Sequence, residues 1–428
     1  MKVNYPGGTT FEPPSGPAPL HDPDLIVLSH LRWDWVWQRP QHLISRLASQ
    51  RRTWFVEEPV RADVAQPTLR HADAGPVRRV WLEVPRDSTQ IEYGAPGCAA
   101  TYLDRLPGLL DDAATGSDVW VYGPTAIAIA EALQPRLLVY DMMDDLSSFA
   151  DGGEAVGQMQ RRALRRAALV FTGGRSLYRT ACEVRGVEDT HLFPSGVETE
   201  HYAQTRDLRP IAARNERPVA GYVGVLDERL DLQLIADMAA KLHDWDIHLV
   251  GPIAKIEPSD LPVAPNLIYP GMQTYDQLPH VMAKFDVAIM PFALNDATRS
   301  ISPTKTLEYL AAGLPVVSTR VPDVVADWDA VVRFADDGAE FARACTAVRE
   351  DSTDERDARV APLARRHEWD AIAAEMTALM DAALAARRAD NATLAMPADA
   401  PTFLAAPPVP GAVAAASATG APGQEVSA

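Results

Sequence analysis

The sequence predicts an α/β fold in two domains of similar size that face each other across a cleft. Three observations lead there. The chain has 428 residues, too long for one ordinary core. Short apolar runs alternate with amphipathic helical stretches, the pattern of parallel strands covered on both faces. A polar stretch near 204–217 (QTRDLRPIAARNER) divides those runs into two groups.

The flanks carry no such pattern. Residues 1–22 are rich in Pro and Gly, and residues 389–428 are Ala/Pro-rich and of low complexity; both read as disordered. The N-terminal stretch lacks the apolar core of a signal peptide, and no window approaches 18 uninterrupted apolar residues. Cys98, Cys182 and Cys345 lie far apart, with no disulfide framework or CxxC spacing, so a reducing cytoplasm is the expected compartment. A formal charge of −18 argues against a uniform nucleic-acid binder. It leaves room for a local basic pocket that takes a phosphorylated small molecule.

The first domain is expected over 23–205. Its strands are Leu25–Leu28, Thr53–Val56, Val119–Tyr122, Leu137–Tyr140 and Leu169–Thr172. A linker over 206–217 leads to the second domain, 218–370, with strands Val219–Val223, Ile247–Val250, Leu267–Tyr269, Val287–Met290 and Val316–Ser318. A last helix, 371–388, is placed to pack back across the cleft.

The first strand runs into SHLRWDWVWQRPQHL, residues 29–43. Three tryptophans, two arginines, two histidines and an aspartate thus crowd one strand-to-helix loop. In open α/β sheets that end of the strand faces the ligand crevice. Aromatic planes beside polar groups suit sugar rings. His30, Arg32, Trp33, Asp34 and Arg39 are the candidate acceptor-binding residues, against the alternative that some of the tryptophans only fill the core. Pro40 suits the first helical turn, with Leu43, Ile44 and Leu47 as the buried face of the helix.

The fourth strand ends in YDMMDDLSSF, residues 140–149. Asp141 joins the acceptor candidates. Asp144 and Asp145 are candidates for the base that takes a proton from an acceptor hydroxyl, or else they cap the next helix.

The most legible stretch is SPTKTLEYLAAGLPVVST, residues 302–319. Ser302 suits an N-cap, Pro303 the first helical position, Gly313 the residue just past the end, and Pro315 stops continuation. Lys305 in the first turn opposes the helix dipole. The conflict disappears if an anion sits at the helix start, where free N–H groups and the ammonium converge on it. Glu308, nearly a turn deeper, could accept two vicinal hydroxyls such as those of a ribose. Together they fit a nucleoside diphosphate. The alternative is a solvated i,i+3 ion pair.

PTKTLEYLAAGLPVVST resembles the nucleotide-sugar motif of GT-B-fold glycosyltransferases of the glycosyltransferase 1/4 type. Residues 192–198 (LFPSGVE), 219–225 (VAGYVGV), 266–271 (NLIYPG) and 285–292 (FDVAIMPF) resemble further segments of that family in the same order. The opening SHLRWD…QRPQHL resembles its bacterial cell-envelope members, such as those acting on teichuronic acid. The resemblance implies two facing Rossmann-like domains, with the donor held mainly by the second. It puts Glu308 on the donor ribose, the helix start (Ser302, Pro303, Thr304) and Lys305 on the diphosphate, and Gly224 at a turn that lets the backbone approach the phosphates. Two departures stand out. Ser300 occupies a position where many members carry a glutamate. No basic pair follows the glycine turn, which leaves Arg229 and Arg299 to assist Lys305.

The expected function is therefore transfer of a sugar from a nucleoside-diphosphate donor to a glycan or lipid-linked acceptor hydroxyl in cell-envelope polysaccharide synthesis. Lys305 with Asp144 or Asp145 would be catalytic, and the resemblance favours retention at the anomeric carbon. No cofactor beyond the nucleotide-sugar and no metal is expected: the three DxD sequences are near chance in so acidic a chain. Nucleic-acid partners and a transmembrane segment are not expected, while contact with the inner face of the membrane fits a lipid-linked acceptor. A nucleotide-sugar epimerase, or a degenerate binding subunit on the same plan, are the alternatives.

Overall fold

The computed structural model describes residues 23–146, 153–209, 217–295, 298, 301, 304–351, 353–364 and 367–395. Two sheets organise them. The first has strands β1 (Leu25–Ser29), β2 (Thr53–Glu57), β3 (Val60–Ala62), β4 (Thr68–Ala74), β5 (Val77–Pro85), β6 (Asp118–Val121), β7 (Leu137–Met142), β8 (Leu169–Thr172) and β9 (Thr190–Leu192). The second has β10 (Val219–Val223), β11 (Asp246–Val250), β12 (Leu267–Gly271), β13 (Val287–Met290), β14 (Val316–Ser318) and β15 (Val332–Phe334). Strand orders are β3-β5-β2-β1-β6-β7-β8-β9, with β4 beside β5, and β12-β11-β10-β13-β14-β15.

Helices cover both sheets. In the first half they are α1 (Arg39–Leu47), α2 (Cys98–Leu110), α3 (Ile127–Ala132), α4 (Gly153–Arg166), α5 (Arg175–Arg185) and α6 (Thr199–Leu208). In the second they are α7 (Leu232–Lys241), α8 (Leu278–Met282), α9 (Thr304–Ala311), α10 (Pro322–Trp328), α11 (Gly338–Arg349), α12 (Thr353–Ala364) and α13 (Trp369–Ala395).

All strand pairs are parallel except β4–β5, which is antiparallel in register from Thr68↔Glu83 to Ala74↔Val77. The central strand of each sheet is buried throughout, β1 as LIVLS and β10 as VAGYV. Helices on both faces leave no wet side, so these strands read as continuous apolar runs. β4 and β5 escaped the sequence reading for the opposite reason. β4 is largely exposed, and β5 (VRRVWLEVP) alternates buried with half-exposed positions at the sheet margin.

The expected linker begins inside a helix. Residues 206–208 form the last turn of α6, whose Tyr202 and Thr205 are buried under a polar exterior. Val197 and Tyr202 already belong to the core of the second domain. Residues 210–216, the rest of that stretch, lie outside the described residues, as do 1–22 and 396–428, expected to be disordered. α13 begins at Trp369 and runs on to Ala395, past the expected end at 388, because an Ala-rich sequence propagates helix even where it reads as low complexity. Trp369, Ile372, Met376 and Met380 of α13 share a core with Leu25, Val27 and Phe55 of the first sheet, so the chain returns to the first domain.

The two passes between domains lie side by side. The Val197 N–H donates to the His367 carbonyl at 2.7 Å. Gly196 permits this approach: a Cβ there would sit 2.7 Å from both the His367 oxygen and the Trp369 ring.

Candidate active site

The carboxyl ends of β1, β7, β10 and β11 open into the cleft, as expected at the crevice of doubly wound sheets. Two cavities occupy it. A larger one of about 720 Å³ is lined by the 33–37 loop and Arg79 on one side and by Gly224, Gly251, Met272, Thr274 and Tyr275 on the other. A smaller one of about 140 Å³ lies deeper, among Trp37, Arg39, Asp144, Tyr202, Tyr222, Gly224, Arg229, Thr304, Lys305 and Glu308.

The deep cavity is built around α9. Thr306, Leu307, Tyr309, Leu310 and Ala311 are buried in the second domain, which turns Thr304, Lys305 and Glu308 toward the cavity. The Tyr309 hydroxyl fastens the helix to the sheet by accepting from the Val223 N–H at 2.8 Å. Lys305 lies over the Tyr222 ring, its Nζ 5.9 Å from the centroid. Burial, partly offset by Glu308, lowers its pKa. Burial likewise raises the Glu308 carboxyl, against the opposing pull of Lys305 and the Tyr202 hydroxyl. Among the described residues no ion pair joins the two. A cation and a carboxylate are thus held deep in one cavity without direct pairing, a costly arrangement typical of sites that await a ligand.

Gly224 and Gly251 make the backbone floor. Both have positive φ, 156° and 149°. A Cβ on Gly224 would collide with Lys305 and approach the Tyr222 hydroxyl to 2.7 Å; one on Gly251 would strike the Gly224 carbonyl. Only glycine lets these two turns stack, the Gly224 N–H donating to the Val250 carbonyl at 2.8 Å.

The other expected donor residues divide. Arg229 lines the deep cavity, but its guanidinium is held in a fork by Asp227 at 2.7–3.0 Å. Arg299, Ser302 and Pro303 lie outside the described residues.

On the first-domain side most polar groups of the 29–43 segment are engaged within the first domain. Gln41 Nε2 donates to the carbonyls of Arg32, Trp33 and Val36 at 3.1–3.3 Å. Glu57, buried at the end of β2, accepts from the Trp33 N–H at 2.9 Å and from Arg32 and Arg79. The rest of the Arg32 guanidinium goes to the carbonyls of Glu58 and Pro59. Trp33 is buried edge-on to Phe55 and lines one wall of the larger cavity. Asp34 is exposed in that cavity and pairs with Arg79.

His30 packs on Gly123 with its Nδ1 unpartnered and lines neither cavity. Burial, aided by Lys255, lowers its pKa to about 4, so it is neutral near pH 7. Arg39 and Asp141 are both buried and grip each other at 2.9–3.2 Å, while a further Arg39 nitrogen donates to the Phe193 carbonyl at 2.8 Å. Of the two acids after β7, Asp144 lines the deep cavity. Its pKa is raised by burial against the pull of Arg229 and Lys255. Asp145 accepts from Gln160 Nε2 at 3.1 Å.

Gly251, Tyr202 and Tyr222 are not among the residues the sequence singles out for the site. Gly251 carries the same signal as Gly224, a glycine directly after an apolar strand. The two tyrosines carry none, because they meet Glu308 and Lys305 only through the tertiary fold.

This architecture is the GT-B fold: two facing α/β domains, a closing helix that returns to the first, and a cleft that opens on a glycine turn and a helix start. Residues 217–351 match the family model of the glycosyl transferases group 1. The chain is 33% identical over 142 residues to TuaH of Bacillus subtilis (strain 168), whose name is that of a teichuronic acid biosynthesis glycosyltransferase; the match spans 32% of this chain and 36% of that protein. Among solved structures it resembles the sucrose-phosphate synthase of Thermosynechococcus elongatus, with a TM-score of 0.66 at 13% identity over 85% of this chain and 100% of that one. It also resembles Anabaena HepE in complex with UDP and glucose, with a TM-score of 0.63 at 14% identity over 84% and 99%. Among the described residues no helix is long and apolar enough to cross a membrane.

Proposed function

We propose that this chain is a glycosyltransferase that moves a sugar from a nucleoside-diphosphate donor to a hydroxyl of a glycan or lipid-linked acceptor in cell-envelope polysaccharide synthesis. The observation that carries the reading is Lys305 and Glu308 in one deep cavity, with no ion pair between them among the described residues, over the stacked Gly224 and Gly251 turns. The family match over the second domain and the likeness to TuaH support it, as does the fold shared with a structure that holds UDP and glucose.

In this reading the donor ribose hydroxyls reach Glu308 and the diphosphate lies between the Gly224 turn and Lys305. The bond from the anomeric carbon to the diphosphate oxygen breaks, and the electron pair stays on the diphosphate, where the ammonium of Lys305 stabilises it. The acceptor oxygen forms the new bond and its proton passes to a base; the lining of the deep cavity by Asp144 supports that carboxylate in the role. Retention at the anomeric carbon is part of the proposal, supported by the sequence resemblance.

Calorimetric titration of UDP, GDP, dTDP and ADP into the wild type and Glu308→Ala tests the site. One nucleotide is expected to bind, and the substitution to weaken it about tenfold, the scale of a lost hydrogen bond to a charged group. Absence of binding by all four, or an unchanged affinity in Glu308→Ala, would overturn the reading.

A further inference from the structure

Beside the two chain passes between the domains sits a cluster that the donor site does not use directly. Glu198 directly precedes α6. Its Oε2 accepts from the Tyr275 hydroxyl at 2.7 Å, and Tyr275 belongs to the second domain. Its Oε1 faces the first domain, 3.1 Å from Arg46 Nη2 and 3.5 Å from His42 Nδ1. One carboxylate therefore touches both domains at the point where the chain crosses.

The surroundings are aromatic and ordered around it. His42 stacks on Trp369 of the returning pass, at 5.0 Å and 11°. Tyr275 stacks on His201 of α6, at 4.0 Å and 9°. Burial works against the charge on Glu198, yet its surroundings, Arg46 and the Tyr275 hydroxyl among them, hold its pKa below the usual carboxylate range. It is ionised at any physiological pH.

Both arms of the cluster end in the cleft. His42 Nδ1 accepts from the Trp37 indole N–H at 3.1 Å, and Trp37 lines both cavities from the first domain. Tyr275 lines the larger cavity from the second domain, 6.2 Å from Trp37 between ring centroids. Tyr202 of α6 lines the deep cavity together with Glu308. Glu198 thus stands between the two facing walls of the cleft.

We propose that Glu198 is a positioning residue: by bridging Arg46 of one domain to Tyr275 of the other, it sets the angle between the domains and so the width of the cleft. The coupling to nucleotide binding rests on the proposed function; the setting of the angle does not.

The test uses the full chain with Tyr275→Phe, which removes only the hydroxyl, together with Glu198→Gln and the double variant. Small-angle scattering reads the domain arrangement, and titration with the same four nucleotides reads the site. Tyr275→Phe is expected to increase the radius of gyration and to weaken the bound nucleotide about five- to tenfold. The double variant should be no worse than the more affected single one, because both break one bridge. Thermal melting of each variant identifies any that has merely unfolded. Scattering and affinity equal to wild type in a folded Tyr275→Phe would overturn the proposal, and so would additive losses in the double variant. If no nucleotide binds the wild type, the donor reading fails and the scattering arm alone decides the hinge.

Discussion

At the scale of single residues, polar groups that look alike in the sequence have opposite fates. Asp141 and Arg39 neutralise each other in a buried fork and tie α1 to β7. Asp144, three residues on, is left facing the deep cavity. His30 is the residue whose fate makes a pH prediction. In the unfolded chain it takes a proton near pH 6.5, in the folded protein only near pH 4. Between those values the unfolded state binds more protons, so His30 contributes stability that is present above about 6.5 and is lost as the pH falls toward 4. Following the His30 ring proton by NMR should give a midpoint near 4; a midpoint near 6.5 would mean that the imidazole is not buried as described.

At the scale of elements, two glycine turns and one helix make the donor side. β10 and β11 each end in a glycine with positive φ, and these stack backbone on backbone beneath Lys305. Gly224→Ala should therefore abolish nucleotide binding in calorimetry, because the methyl group displaces Lys305 and strains the turn by about 1–3 kcal/mol. The first domain should be untouched, with the Trp33 and Trp37 environment reporting a native near-ultraviolet spectrum. Binding at wild-type strength would show that the ligand does not use this turn. The 29–43 segment teaches a complementary lesson. Its density of aromatic and charged residues reads as a binding loop, yet Gln41 and Glu57 are consumed in holding the loop's own backbone, and Arg32 is tied to the carbonyls that follow β2. What remains for a ligand is the exposed part of the loop, Asp34 and Trp35, with Trp37 behind them.

At the scale of the whole molecule, α13 closes the architecture. Trp369, Ile372, Met376 and Met380 are buried against the first sheet, although the preceding residues belong with the second domain. Removing a large apolar side chain from a core costs about 2–5 kcal/mol. Losing four of them exceeds the 5–15 kcal/mol by which domains are typically stable, or comes close to it. A chain ending at residue 368 should fail to give a cooperative melt by circular dichroism. If it melts within a few degrees of the full chain, α13 is an accessory and not part of the first core.

The sequence by itself determined the fold class, the position of most central strands and the helix that carries Lys305 and Glu308. It could do so because strands buried on both faces must be apolar throughout, and because helix ends are written in local chemistry. β4 and β5, partly exposed at a sheet margin, lacked that signature. The tertiary structure alone decided which polar groups stay available. Arg39 and Asp141 are 102 positions apart, and Glu198 and Tyr275 are 77 apart. Such pairs form only when the domains are assembled, and no local spacing announces them. The same holds for Tyr202 beneath Glu308 and for the return of α13. Residue types set what chemistry the cleft can perform, and long-range packing sets which of those residues are free to perform it.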